Sequence, residues 1–215
     1  MSRKLNIVQA GGFAAIGFAV MIVLSNAIVV PAGFPLPGTE IPEAVSFFGT
    51  NAGVVGVASA ITPAAWFMAT VFGAAVVVAL WPAERGWALV GFAGILLQNA
   101  AFAIVIALRV ALTSNPDGAL WALHDAVFTL NGTFLAIALT GLSIGGRQAG
   151  LIRPWHAVLG LVAGALTFTS ATLTPLVVGH QGPLGLIGLV GWLLWVAWLV
   201  TWGRTLIRRR QPVAA

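Results

Sequence analysis

The chain has 215 residues, of which 60% are hydrophobic and 7% are charged, and its formal net charge is +5. Soluble domains usually carry about 25% charged residues, so this composition excludes an ordinary soluble enzyme. The basic residues are scattered along the chain rather than clustered in a patch, which excludes a nucleic-acid-binding surface. Because the sequence contains no cysteine, it excludes disulfides, thiolate metal sites and cysteine nucleophiles.

Six apolar runs are long enough to cross the roughly 30 Å hydrocarbon core of a bilayer as helices. In chain order they cover residues 7–30, 63–81, 87–108, 119–144, 155–176 and 183–203. The sequence therefore predicts an all-α integral membrane protein, a bundle of six transmembrane helices forming one polytopic domain over residues 1–215. The first run is too long for a signal-peptide core and has no convincing cleavage site behind it, so we expect it to be retained.

Aromatic residues at the ends of the runs indicate the depth of the neighbouring turns. Trp81 and Trp87 stand on either side of a short polar turn, and His156 follows Trp155 at the start of the fifth run. Tryptophan is enriched at the headgroup level of membranes. We expect these residues, His156 included, to anchor the chain at that level.

Residues 31–62 allow two topologies. They begin with a proline- and glycine-rich loop, but no formal charge occurs from Ala44 to Ala83, so 44–62 is long enough for a seventh span. Six spans with a cytoplasmic N-terminus place nine of the ten basic residues inside and only Arg109 outside, whereas seven spans give seven and three. The excess of basic residues on cytoplasmic loops favours six spans, both termini in the cytoplasm and a basic cytoplasmic tail over 204–215.

With six spans, residues 31–62 become an extracytoplasmic loop between the first and second spans. Within it, six residues follow a helical period with the apolar members on one side, and they are Phe47, Phe48, Asn51, Val54, Val55 and Ala58. We therefore expect an interfacial helix over 41–60 that lies along the outer membrane surface.

The unusual polar residues fall mostly in the outer half of this topology. His124 and Asp125 lie in the first turns of the fourth span, and Asn131 shares a face with His124 about 10 Å deeper, at 1.5 Å per residue. Gln98 and Asn99 lie near the middle of the third span. The pattern predicts an outward-facing cavity between the third, fourth and fifth spans, with Gln98 or Asn99 at its floor.

Arg109 is the exception to the charge asymmetry and needs an anionic partner. Asp117 and Asp125 are the nearest carboxylates in sequence, and Glu43 can approach through folding. We expect an ion pair between Arg109 and one of them near the outer surface. Arg109 and Glu43 join Asn131, Gln98 and Asn99 as the expected ligand-binding residues.

Each of these residues also has a structural explanation. Ionisable groups inside a membrane are rare and costly, so Asp125 and His124 are predicted as catalytic residues, yet Asp125 also suits the start of a helix. Amides such as Asn131 and Gln98 equally suit hydrogen bonds between helices. Close packing of small residues better explains the stripe formed by Thr167, Ser170 and Thr174.

No cofactor or metal is expected. Haem requires axial ligands that face each other across a bundle, and only His124 of the three histidines falls well within a span. His180 is expected in a solvated outer turn. A zinc site built from His124, Asp125, His180 and Glu43 has acceptable ligand types but no recognisable spacing.

Three functions fit these residues. The first is binding of a small lipophilic molecule, with acid–base conversion by Asp125 and His124 as its extension. The second is a proton-coupled transporter, and the third is a non-catalytic subunit of a larger complex. The last span has no polar side chain other than tryptophan between Leu184 and Val200, which disfavours transport. The expected partners are membrane lipids, a lipophilic ligand, and a second copy or partner subunit, with no nucleic acid. The lysine-poor composition is typical of bacterial inner-membrane proteins.

Overall fold

A computed structural model describes residues 6–178 and 183–209, and within these ranges the chain is helical with no strand. One short 3-10 turn, Val30–Ala32, follows the first helix. The α-helices of the described residues are α1 (Ile7–Val29), α2 (Ile41–Thr50), α3 (Ala52–Ala60), α4 (Thr62–Leu80), α5 (Arg85–Ser114), α6 (Gly118–Leu130), α7 (Gly132–Gln148), α8 (Pro154–Thr172), α9 (Thr174–Val177) and α10 (Gly185–Arg208).

Six helical segments are long and apolar enough to cross a membrane, as the sequence predicts. They are Ile7–Ala32, Ala52–Leu80, Arg85–Ser114, Gly118–Gln148, Pro154–Thr172 and Gly185–Arg208. The second of these segments begins earlier than predicted, because only Ile61 separates α3 from α4. The fourth is divided at Asn131 into α6 and α7.

The segment 41–60 differs from the expected single interfacial helix. It divides at Asn51, whose backbone N–H and side-chain Nδ2 both donate to the carbonyl of Phe47, at 2.9 and 3.1 Å. The backbone of Asn51 leaves the helical conformation, with φ of −115° and ψ of 26°, so α2 ends there. Helix α3 then continues into the second apolar segment rather than beside it. Helix α2 buries Phe47 and Phe48 in a cluster with Leu112 and Trp121.

Small residues set the distance between α5 and α7. A Cβ atom at Gly94 would overlap the backbone of Ala138, and one at Gly141 would overlap the backbone of Gly91. The two helices therefore approach until their backbones touch, as small-residue interfaces in membranes allow. Gly132 meets the carbonyl of Thr167 in the same way, which brings the start of α7 against α8.

The two ends of the bundle differ in charge. Arg209 Nη1 donates to the carbonyl of Ala79 at 3.2 Å, so the end of α10 lies beside the end of α4. This end, where α1 also begins, is called the basic end. Its described arginines are Arg85, Arg147, Arg153, Arg204, Arg208 and Arg209. Arg109 lies near the C-terminal end of α5 and thus at the opposite end of the bundle.

His156 is not the headgroup-level anchor that the sequence suggested. Its side chain is 1% exposed, and its Nε2 lies 3.0 Å from the carbonyl oxygen of Trp198. The ring also packs against Trp198 and Trp202 of α10. The neighbouring Trp155 is 54% exposed, so the first turn of α8 directs only its tryptophan outward.

Candidate functional site

A cavity of about 680 Å³ lies in the half of the bundle away from the basic end. This volume falls within the range of small-molecule binding sites, roughly 300–1,000 Å³. The third, fourth and fifth spans line it as predicted, and the first, second and sixth spans also contribute. The cavity is therefore central to this half of the bundle rather than confined to three helices.

All seven residues selected from the sequence line this one cavity. They are His124, Asp125, Asn131, Gln98, Asn99, Arg109 and Glu43. Thr167 and Ser170 of the predicted stripe line it too. The same two residues contact Gly191 and Gly188 of α10, so they also serve the close packing that the sequence indicates. His180 lies outside the described residues.

The imidazole of His124 is held within an aromatic stack on α6. Its ring lies 5.0 Å from that of Trp121 and 6.1 Å from that of Phe128, measured between centroids, and His124 is 2% exposed. These residues stand three before and four after His124, which places all three on one helix face.

Arg109 fixes the tautomer of His124. Its Nε donates to His124 Nε2 at 3.0 Å. Since a guanidinium has donors only, Nε2 must accept, and the proton of the neutral imidazole lies on Nδ1. Nδ1 is buried without a hydrogen-bond partner in the described part of the chain.

The structure gives Arg109 a different partner from the expected carboxylate. Asp117 caps α6 by accepting from the backbone N–H groups of Ala119 and Leu120, at 2.9 and 3.1 Å. Asp125 accepts from a backbone N–H as well, that of Gly38. Both predicted carboxylates therefore satisfy backbone donors, and Arg109 donates to an imidazole.

Aromatic rings surround the guanidinium of Arg109. Its Cζ lies 4.5 Å from the centroid of Phe34 and 5.9 Å from that of Phe128. Such cation–π contacts stabilise the charge but accept no strong hydrogen bond. Apart from the bond to His124, the guanidinium makes no hydrogen bond within the described residues.

A short loop, residues 33–39, is fastened to α6 across the cavity. The N–H of Gly38 donates to Asp125 Oδ2 at 2.9 Å, and Trp121 Nε1 donates to the carbonyl of Thr39 at 3.3 Å. The loop has a left-handed glycine near each end, with φ of 85° at Gly33 and 86° at Gly38. Only glycine adopts this conformation readily, so these residues let the loop turn back over the cavity.

The deeper amides divide into one structural residue and two that remain unpaired. Asn99 Nδ2 donates to the carbonyl of Trp66 at 3.3 Å and to Thr70 Oγ1 at 3.2 Å, which ties α5 to α4. Asn131 Oδ1 is buried without a partner among the described residues, and Gln98 is 5% exposed with no side-chain hydrogen bond there. Buried polar groups usually find a partner, so Gln98 and Asn131 are polar points on the inner wall.

Apolar side chains form the rest of the wall. On α5, Phe102 and Ile106 lie between Gln98 and Arg109 on the cavity face. On the other helices, apolar and aromatic lining residues include Met21, Trp66, Trp192 and Trp195. The ionisable side chains therefore concentrate at the Arg109 end, and the polar groups farther in are uncharged amides and hydroxyls.

A search of the sequence for polar residues in apolar segments overlooks the aromatic stack and the 33–39 loop. A signal for the stack was present, because Trp121 and Phe128 have helical spacing to His124. Nothing in the sequence indicates that Asp125 fastens the loop, since its partner is a backbone N–H group, which every residue except proline has.

A metal centre finds no support in the described ranges. No group of three or more His, Cys, Asp or Glu side chains in residues 6–178 and 183–209 is arranged to hold a metal ion. The conceivable zinc ligand set included His180, which lies outside those ranges.

Function must be argued from these residues themselves. In comparisons with known proteins, the chain matches no protein-family model, no curated protein and no solved structure.

Proposed function

We propose that this multi-pass membrane protein binds a small lipophilic molecule in the 680 Å³ cavity. The observation that supports this most directly is the distribution of polar and apolar side chains along the cavity wall. Arg109, His124 and Asp125 gather at one end, and apolar side chains such as Phe102 and Trp192 form most of the remainder. Small-molecule sites typically combine an apolar lining with a few polar groups that fix orientation.

Acid–base conversion of the bound molecule is an extension of this proposal. Asp125 Oδ2 accepts from Gly38, while its Oδ1 makes no hydrogen bond within the described residues. A carboxylic acid that faces a bound molecule can donate a proton to it and take a proton back. Asp125 is the residue that would act as the acid.

Binding is favoured over transport by the packing of the basic half of the bundle. Its interior is filled by large side chains that are at most 2% exposed, including Trp198, Trp202, Leu142 and Leu206. A carrier needs a polar path to the second side of the membrane, and this core offers apolar contacts instead.

We place the protein in the bacterial cytoplasmic membrane with the basic end in the cytoplasm and the cavity facing outward. The chain has no native cysteine, so single introduced cysteines can report the orientation. In intact cells, Thr39→Cys and Glu40→Cys should react with a membrane-impermeant thiol reagent, and Gln148→Cys should react only after lysis. Reaction of Gln148→Cys with the reagent in unbroken cells would show that the basic end faces outward, which contradicts the proposed orientation.

Narrowing the cavity should reduce ligand retention. Ile106 lines the cavity and is 8% exposed, whereas Ile104 on the same helix is 52% exposed. We expect Ile106→Trp to lower the amount of lipophilic molecule that co-purifies, because the indole occupies part of the site. Ile104→Trp is the matched control and should retain as much as the wild-type protein. Mass spectrometry of solvent extracts provides the measurement, and thermal unfolding in detergent checks that both variants fold. Equal retention in a folded Ile106→Trp variant would contradict binding in this cavity.

A further inference from the structure

We infer that Arg109 is the head-group site of the cavity and that the bound molecule is an anionic amphiphile, with a carboxylate or phosphate at Arg109 and an apolar chain along α5. This inference rests on the proposed binding function and specifies its ligand. It is carried by the unbalanced charge and the unused donors of Arg109, and by the shape of the wall beyond that residue.

The charge of Arg109 is not balanced by a neighbouring carboxylate. Its hydrogen-bond partner is a neutral imidazole that accepts through Nε2. Within the described residues, two carboxylates line the cavity with it, those of Asp125 and Glu43. Neither lies within the 4.0 Å nitrogen–oxygen distance of an ion pair. Asp125 binds the N–H of Gly38 instead, and Glu43 is an exposed residue of α2.

The donors of Arg109 are likewise mostly unused. A guanidinium carries five N–H groups in a planar fork that matches carboxylate and phosphate oxygens. The Nε–H group is taken by His124, while the four N–H groups of Nη1 and Nη2 make no hydrogen bond within the described residues. Phe34 and Phe128 lie near the guanidinium, and the bond to His124 holds its plane in place. Arg109 is thus oriented before the ligand arrives. The free N–H groups of Nη1 and Nη2 suit bidentate binding of an anion.

The wall beyond Arg109 suits a single apolar chain. Ile106, Phe102 and Gln98 follow Arg109 along the cavity face of α5. From Arg109 to Gln98 the helix rises about 16 Å at 1.5 Å per residue. Gln98, which has no side-chain partner in the described part of the chain, marks the inner end of this path. An extended aliphatic chain fits such a path, with its head group at Arg109.

Head-group chemistry can be tested with three probes that share one chain. Dodecanoate, dodecyl phosphate and dodecanol are added to protein in nanodiscs of zwitterionic lipid. Each probe carries bromine near the chain end, so that it quenches the cavity tryptophans Trp66, Trp192 and Trp195. Charge-assisted hydrogen bonds should make at least one anionic probe bind roughly tenfold or more tighter than the alcohol. Comparison of the two anions separates a carboxylate ligand from a phosphate ligand.

Variants of Arg109 then assign the preference to this residue. Arg109→Met should remove the preference for anions, so that dodecanoate and dodecyl phosphate bind no more tightly than dodecanol, and Arg109→Lys should retain part of the preference. Arg85→Met is the matched control, because Arg85 is an exposed arginine of the same helix at the basic end. It should bind all three probes as the wild-type protein does.

The possible outcomes distinguish a failure of this inference from a failure of the proposed binding function. If no probe quenches the wild-type protein, the binding function itself is overturned. If all three probes bind with equal affinity, the cavity binds lipophilic molecules but Arg109 is not an anion site. A preference that survives in folded Arg109→Met also overturns the inference. The comparison of probes on the wild-type protein needs no variant, so it decides the question even if Arg109→Met does not fold.

Discussion

Leucine in place of Gly94 is expected to prevent the chain from reaching a stable folded state. A Cβ atom at this position would meet the backbone of Ala138 and the carbonyl oxygen of Phe134. Backbone cannot move aside as the end of a flexible side chain can, so α5 and α7 would have to separate. Overpacking usually costs about 1–3 kcal/mol, and a forced separation of two helices belongs with the exceptional changes above about 4 kcal/mol.

The measurement is the yield of monodisperse protein in detergent, followed by thermal unfolding. Gly86→Leu is the matched control, since Gly86 lies on the same helix and a Cβ there would have no neighbour within 4 Å. We expect the control to match the wild-type protein. A Gly94→Leu variant with wild-type yield and melting temperature would show that α5 and α7 do not cross at this residue.

The spans could be predicted because the bilayer permits few solutions. An apolar chain must satisfy its backbone hydrogen bonds internally, so each long apolar run becomes a helix. The breaks were harder to predict, since they depend on single residues. Helix α2 ends where the backbone of Asn51 leaves the helical conformation, and Asn131 separates α6 from α7 beside the close approach of Gly132 to Thr167. Hydropathy and charge counts do not register such local changes of conformation and contact.

The candidate site was predictable in its membership but not in its pairings. Ionisable and amide side chains stand out in apolar segments, as His124 and Gln98 do, and Arg109 stands out as the exception to the charge asymmetry. The predicted partner of Arg109 was wrong, because Asp117 is nearer to Arg109 in sequence than His124 is and Asp125 directly follows His124. The choice among them depends on which carboxylates are already engaged by backbone N–H groups, and only the folded chain determines that.

Asp125 is expected to act first as the residue that holds the 33–39 loop in place, and two substitutions can separate this role from proton donation. In Asp125→Asn, a side-chain oxygen can still accept from the N–H of Gly38. In Asp125→Ala, that bond is lost. Removing one partner of a buried hydrogen bond costs about 1–3 kcal/mol, so loop opening should rise roughly five- to hundredfold in Asp125→Ala.

Two readouts follow the loop-holding role of Asp125. Hydrogen exchange of the Gly38 amide reports loop opening, and the dissociation rate of a quenching amphiphile reports release from the cavity. We expect both rates to rise in Asp125→Ala and to stay within a few-fold of wild type in Asp125→Asn. Asp117→Asn is the control, because Asp117 is an exposed cap of the same helix and touches neither the loop nor the cavity.

A proton donor gives the opposite pattern, because the amide of asparagine cannot supply the proton that a carboxylic acid does. If Asp125 is the acid, turnover of the bound molecule is lost equally in Asp125→Asn and Asp125→Ala, whatever the loop does. Equal exchange of Gly38 in all variants would mean that the bond to Asp125 Oδ2 does not hold the loop. A loop that opens only in Asp125→Ala, together with unchanged ligand chemistry in Asp125→Asn, would assign Asp125 to the closure of the cavity and leave Arg109 and His124 to recognise what is inside.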